Sequence, residues 1–291
     1  MMIGRCNRMF LPPSLPERAE LPFDDERYLF EPKIDGQRLL LSMENGTVRL
    51  YSRYGRDVTG QYPELSRVPV RDGSDLVLDG EVAMLEPDTG FPRYEDLQIR
   101  FRLRKEMDIR EASVRRPVHY FVFDVLRYRG RDLRSLPLAE RKAILAEALD
   151  DNGVFNRLAF VRGGGRDVFE SVRRIGLEGM VAKRADRPYV AGRTGDWLGI
   201  LNYRFANLRI SGYRKDPFGW LVERDGTAEG ILDRNIPAAY RQAFQGIAKE
   251  ISTGEDRNFV YVKPAIEARV RYVRRTKAGR LWEPEFLGFV V

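Results

Sequence analysis

Glu31-Pro32-Lys33-Ile34-Asp35-Gly36-Gln37-Arg38 reads as E-x-K-x-D-G-x-R between two strand-like runs. A lysine flanked in this way by a carboxylate and a guanidinium can serve as a nucleophile. Once it sheds its proton the amine can attack phosphorus, and adjacent cations such as Arg38 or a bound metal favour that loss. The plainer alternative is a surface Lys-Asp pair on an Asp-Gly turn. Composition adds to the first reading, because only 8 of the 50 Lys+Arg residues are lysine. Where arginine is the default cation, a retained lysine points to a need for an amine that can lose its proton, which a guanidinium effectively cannot.

At 291 residues the chain allows two domains or one large one, and 43% hydrophobic with 32% charged residues suits a soluble globular protein with a real core. The formal net charge of +7 and a pI near 9.5 favour a polyanionic partner, with nucleic acid first. One cysteine, Cys6, and one histidine, His119, exclude a disulfide framework and a zinc site of four Cys/His ligands. A Ser-His or Cys-His pair is limited to what His119 alone can serve, so catalysis falls to Lys, Arg, Asp and Glu. No run approaches the roughly 18 apolar residues of a membrane span, and the amino terminus lacks a signal-peptide apolar region. The expected compartment is the cytoplasm.

The positioning elements follow from periodicity. Residues 28–31, 39–43, 48–52 and 76–85 read as strands, with Asn45-Gly46 marking a hairpin. A helical segment over 91–104 precedes a strand at 119–126, and helices are expected at 137–149 and 167–175, the latter stopped by Gly176. A strand at 178–183 leads to a loop at 191–195. From about residue 205 the pattern is strands at 208–213 and 220–223, a helix over 237–250, then strands at 259–262 and 269–273, which suits a small barrel of the oligonucleotide-binding type.

Further signatures follow the Lys33 motif in order: Ser52-Arg53-Tyr54-Gly55-Arg56-Asp57, Leu78-Asp79-Gly80-Glu81, Tyr120-Phe121-Val122-Phe123-Asp124 and Glu178-Gly179-Met180-Val181-Ala182-Lys183. The set resembles the ordered motifs of ATP-dependent DNA ligases, members of the covalent nucleotidyltransferase superfamily, over nearly the whole chain. Residues 91–100, 132–145 and 275–288 look closest to minimal bacterial ligases and to the ligase domain of bacterial end-joining enzymes, with no room for an extra amino-terminal DNA-binding domain. The resemblance implies an α+β chain. A nucleotidyltransferase (adenylation) domain of antiparallel sheets with flanking helices would occupy 1–204, and a small OB-fold β-barrel 205–291.

It also implies ATP and Mg²⁺ as cofactors, nicked duplex DNA as substrate, end-joining or repair proteins as partners, and a monomer free of membranes. Lys33 would attack the α-phosphate of ATP and carry AMP, which then passes to the 5'-phosphate of a nick before the 3'-hydroxyl displaces it. Glu31 would serve adenine mainly through its backbone, Glu81 would accept from the ribose hydroxyls, and Val181 would belong to the nucleotide-binding set. Lys183 would contact phosphate and Glu178 would hold magnesium. Phe123 fits either stacking on adenine or packing in the core beside Phe121. Arg38, Arg53 and Arg56 suit bidentate phosphate contacts, and the runs 100–104 and 269–275 suit duplex backbone contact.

Two departures from the resemblance bear on rate. The usual W-x-K-x-K pattern is replaced by Trp197-Leu198-Gly199-Ile200-Leu201, without lysine at 199 or 201, and a basic carboxy-terminal motif expected after Phe286-Leu287-Gly288 is missing. The reading is therefore a DNA ligase core of reduced activity. Its rivals are an RNA ligase or capping-type guanylyltransferase, and a catalytically impaired protein that binds DNA ends.

Overall fold

The computed structural model describes residues 10–290, so Cys6 lies outside the described residues. The chain divides into two compact units, Met1–Asn202 and Tyr203–Val291. The break falls two residues ahead of the expected boundary, because Asn202 belongs to the first unit: its backbone N–H donates to Glu178 O and its side-chain amide to Leu177 O.

In the first unit the chain forms β1 (Ser14–Ala19), β2 (Asp25–Pro32), β3 (Gln37–Glu44), β4 (Thr47–Ser52), β5 (Leu76–Ala83), α1 (Tyr94–Arg102), α2 (Glu106–Arg115) and β6 (His119–Tyr128). It continues with β7 (Arg131–Asp132), α3 (Leu138–Ala148), β8 (Phe155–Arg157), β9 (Val161–Gly163), α4 (Gly165–Ile175), β10 (Gly179–Arg184) and β11 (Gly192–Leu201). One sheet runs β1-β11-β10-β2-β9 and the other β4-β3-β5-β6-β7, with β8 on β6. All ladders are antiparallel except β1 with β11 and β6 with β8.

Strand alternation gives the first sheet two different faces. Phe30, Met180, Ala182 and Ile200 pack against Phe169 and Val172 of α4, each large apolar side chain contributing about 1.5–3 kcal/mol on burial. Their neighbours Glu31, Val181 and Lys183 line a cavity on the opposite face. Helix α4 ends as expected at Gly176, whose φ of 78° lets the Leu177 N–H turn back to Val172 O.

Three features of this unit depart from the sequence reading. Residues 191–195 are not simply a loop, because β11 begins at Gly192 and finds a parallel partner in β1. Strand β1 itself was not anticipated, since Pro16 is a poor strand residue except at a sheet edge, where it sits. Helix α2 escaped notice because only Ile109 of it is buried.

The second unit contains β12 (Arg204–Arg214), β13 (Gly219–Arg224), β14 (Thr227–Leu232), α5 (Ala238–Ala248), β15 (Ser252–Glu255), β16 (Phe259–Tyr272), β17 (Arg274–Arg275), β18 (Leu281–Trp282) and β19 (Glu285–Phe289). Its core gathers Trp220, Phe244 of α5, Ile210, Val270 and Phe286. The expected closed barrel does not form among the described residues. Strand order runs β14-β13-β12-β16, and the far edge of β16 is shared by β15 and β19 rather than returned to β14. The strands expected at 259–262 and 269–273 are one strand, β16.

Candidate active site

Strand β2 ends at Pro32, and the Lys33 N–H then donates to Gly179 O at 2.8 Å, so the chain turns toward β3 beside the start of β10. Glycine is required at 36, where a Cβ would lie 2.2 Å from Val82 O. The β3–β5 ladder sets Arg38 opposite Glu81. A register shift in the β5–β6 ladder pairs Asp79 with Asp124 and Gly80 with Val122, leaving Phe123 without a cross-strand partner. These elements enclose a cavity of about 770 Å³. Glu31, Lys33, Arg38, Arg53, Glu81, Phe123, Val181 and Lys183 line it, with Trp197 and Arg193. Arg56 is exposed on the turn after β4 and is not among the lining residues.

The Lys33 amine forms an ion pair with Glu178, Nζ to Oε2 at 2.7 Å. Burial works to lower its pKa, but Glu178, and after it Glu81 and Asp35, outweigh burial and hold the amine above its ordinary value. This corrects the expectation that neighbouring cations lower it. Arg38 is not free to do so, because its Nε and Nη2 are bonded to Asp79 at 2.5 and 2.7 Å. Burial opposes the Arg38 charge, and Asp79 more than compensates, raising its pKa. The same commitment corrects Arg38 as a free bidentate phosphate contact. Burial also pushes the Glu81 carboxyl up to about 7, against the pull of Arg38 and Lys33.

The Glu31 side chain is committed within the wall, which leaves its expected backbone role open. Its carboxylate is buried between Lys183, at 2.6 Å, and Lys142 of α3. Burial pushes this carboxyl up, but the two ammonium groups overcome it and hold it low. The Lys183 amine also lies 3.9 Å from the Phe123 ring centroid and 4.1 Å from that of Trp197. Burial lowers it to about 8, against the pull of Glu31 and with the help of Lys142. Lys183 therefore stands in the cavity wall bonded to Glu31, rather than as an uncommitted phosphate ligand. Phe123 is buried, meets Trp197 edge-on, and lines the cavity.

Sequence reasoning missed Lys142, Asp79 and Tyr189. Tyr189 donates from its hydroxyl to Asp79. One signal for Lys142 was available: Arg141 and Lys142 occupy the stripe of α3 shared by Leu138 and Leu145, where charge is unusual. The adjacent Arg141 meets buried Asp124 through two bonds of 2.8 Å. The arginine runs also need correction. Arg100 is buried on Glu64, and the half-buried Arg271 and Arg275 pair with Glu285 and Glu229, so these three are engaged within their own units. Among the described residues no helix is long and apolar enough to cross a membrane.

The donor set suits a hydrated divalent cation. No group of three or more His, Cys, Asp or Glu ligands forms among the described residues. An ion here would rest on Glu178, with Glu81 nearby, and on waters and substrate oxygens, as Mg²⁺ commonly does. The cavity lies within the roughly 300–1,000 Å³ usual for small-molecule sites.

A family model described as ATP dependent DNA ligase domain matches residues 17–200, which carry this cavity. The chain belongs to the ATP-dependent DNA ligase family. It is 34% identical over 281 residues to the SPbeta prophage-derived DNA ligase-like protein LigB of Bacillus subtilis (strain 168), covering 96% of this chain and 98% of that protein. It is 28% identical to the multifunctional non-homologous end joining protein LigD of Mycolicibacterium smegmatis, over 96% of this chain but only 38% of LigD. Among solved structures, mycobacterial DNA ligase D complexed with ATP and MES matches with a TM-score of 0.60 at 27% identity, covering 98% of this chain and 96% of that one. A Lig E DNA ligase has a TM-score of 0.65 at 14% identity over 94% and 99% of the two chains, which bears on fold alone. This chain is thus a DNA ligase that depends on ATP, and the cavity is its candidate active site.

Proposed function

We propose that this ligase seals nicks in duplex DNA through a lysyl-AMP on Lys33. The observation that carries the reading is the Lys33 amine, paired with Glu178 and lining a cavity walled by Glu81, Phe123, Val181 and the Glu31–Lys183 pair. Lys33 Nζ forms a bond to the α-phosphorus of ATP, the bond to pyrophosphate breaks, and the amine gives up its proton. Mg²⁺, when bound at Glu178, would neutralise phosphate charge. A Glu178 carboxylate engaged in this way would stabilise the Lys33 ammonium less, which would favour loss of its proton. Glu81 accepts from the ribose hydroxyls, while Phe123 and Val181 supply apolar surface to the base. Arg53 and Arg56, both exposed, meet phosphates of the strand to be joined.

AMP then passes to the 5'-phosphate, and the 3'-hydroxyl attacks that phosphorus and expels AMP. The chain spans under two fifths of LigD but nearly all of LigB, so end joining or repair in concert with other proteins is a further part of this proposal. The cavity face carries Gly199 and Leu201, neither of them a cation, and we read the adenylyl transfer as slower on that account. The test is incubation with ATP and Mg²⁺ on singly nicked duplex DNA and, in parallel, on nicked RNA. Sealing of DNA supports the reading; sealing of RNA alone, or of neither, overturns it.

A further inference from the structure

Arg38 lines the cavity, yet most of its N–H groups are bonded within the protein. Nε and Nη2 donate to Asp79, and Nη2 donates as well to Ser14 O at 3.2 Å. Nη1 alone has no partner among the described residues. It is not sealed in the interior either, so it is the nitrogen through which Arg38 meets the cavity.

What holds the bonded edge in place lies behind the cavity wall. The Tyr189 hydroxyl donates to Asp79 Oδ2, the oxygen that also receives Arg38 Nη2, and accepts from the Ser14 N–H at 3.0 Å. The four residues therefore close a ring, from Ser14 to Tyr189, Asp79, Arg38 and back to Ser14. Tyr189 and Asp79 are buried, and the ring ties β1 of the first sheet to β3 and β5 of the second. The tyrosine is itself fixed. Its ring meets Trp197 edge-on at 5.9 Å, and its backbone N–H donates to Arg134 O. Neither Tyr189 nor Asp79 is among the cavity-lining residues, so both act on the cavity through Arg38.

We infer that Tyr189 is a positioning residue, whose hydroxyl fixes the Asp79 carboxylate and through it presents Arg38 Nη1 to a phosphate oxygen of the substrate. This rests on the reading of the cavity as the site of adenylyl transfer. A carboxylate gripping one edge of a guanidinium sets the plane of the fork and the direction of its remaining edge. A substrate phosphate competes for the whole fork, and a third donor on Asp79 opposes that rearrangement. The oxygen belongs either to ATP or to the adenylylated 5'-phosphate of the nick, and two separate reactions distinguish them.

The first reaction is labelling of the protein by α-labelled ATP. The second is sealing of nicked duplex DNA that already carries AMP on its 5'-phosphate, which needs no label on Lys33. Both are followed in wild type, Tyr189→Phe, Arg38→Lys and the double variant, under conditions where urea unfolding shows all four folded. A lysine at 38 keeps a cation beside Asp79 but has no second edge to present. Arg38→Lys should slow at least one reaction about ten- to a hundred-fold, the range of one charge-assisted bond, and the reaction slowed names the phosphate. Tyr189→Phe should slow whichever reaction Arg38→Lys slows, by about tenfold, spare any that it spares, and add little in the Arg38→Lys background.

A hydroxyl that only stabilises the fold would slow both reactions by the same factor in both backgrounds. That result overturns the inference, as does a wild-type rate in Tyr189→Phe, or in Arg38→Lys for both reactions. If wild type seals the adenylylated nick but takes no label, the Lys33 reading fails while the sealing reaction still decides on Tyr189. A wild type inert in both reactions overturns the two together.

Discussion

Two lysines that line the same cavity show how burial and partners decide what an amine does. The Lys33 side chain is 32% exposed, faces one carboxylate, and has its pKa raised; the Lys183 side chain is 2% exposed, shares Glu31 with a second lysine, and is lowered to about 8. The first pair is open to disruption by a ligand that takes Glu178. The second is closed, since Glu31 is saturated by Lys142 and Lys183 and both amines are nearly inaccessible. An amine that must change state therefore sits at the accessible pair, and one that fixes the wall sits at the buried set. The proposed division of labour between nucleophile and support follows from that difference.

Breaking the closed set should have the largest effect on stability. Glu31→Gln leaves two buried ammonium groups without their counter-ion, and denaturant unfolding should show a loss of about 3–5 kcal/mol. Glu31→Leu with Lys142→Met should cost much less, because fewer buried charges are left unpaired. Equal losses in the two variants would mean that the triad is not a mutually dependent unit.

Changing the open pair should spare stability and alter reactivity. Glu178→Gln removes the strongest carboxylate acting on Lys33, so the amine should titrate lower and react with an amine-directed acylating reagent at lower pH than in wild type. An unchanged pH profile of Lys33 modification would show that Glu178 does not hold its proton.

The smallest effect concerns pH and Lys183. Its proton is held less tightly in the folded chain, at about 8 against an ordinary 10.5. Between those values the unfolded chain binds more protons, so stability should rise as pH climbs through that window and level off below it. Lys183→Met should flatten the rise, as followed by urea unfolding between pH 7.5 and roughly pH 10. A slope that survives the substitution belongs to another group.

Much of this contrast was legible before the fold was known, and the rest was hidden for physical reasons. Lys33, Glu81, Phe123 and Lys183 sit in short motifs whose strands and turns are set locally, and α3 and α4 announce themselves by period and by Gly176. The partnership of Glu31 with Lys142 is not local, since it joins strand β2 to helix α3. Arg38 looked like a free phosphate ligand because nothing in its own segment reveals Asp79 across the β3–β5 ladder. Strand β1 was masked by prolines at 12, 13 and 16, and it exists because β11 offers an edge to pair with. The second unit read as a barrel because its strand spacing suits one, yet β15 and β19 both take the far edge of β16, and closure depends on such long-range pairing.

The central claim is that Lys33 is the amine released from its carboxylate to take up AMP. Labelling the protein with α-labelled ATP and Mg²⁺, digesting it, and locating the acid-labile label by mass spectrometry tests this most directly. The account predicts one AMP on the peptide bearing Lys33 and none on Lys33→Ala. AMP on another residue, or undiminished labelling of Lys33→Ala, would contradict it.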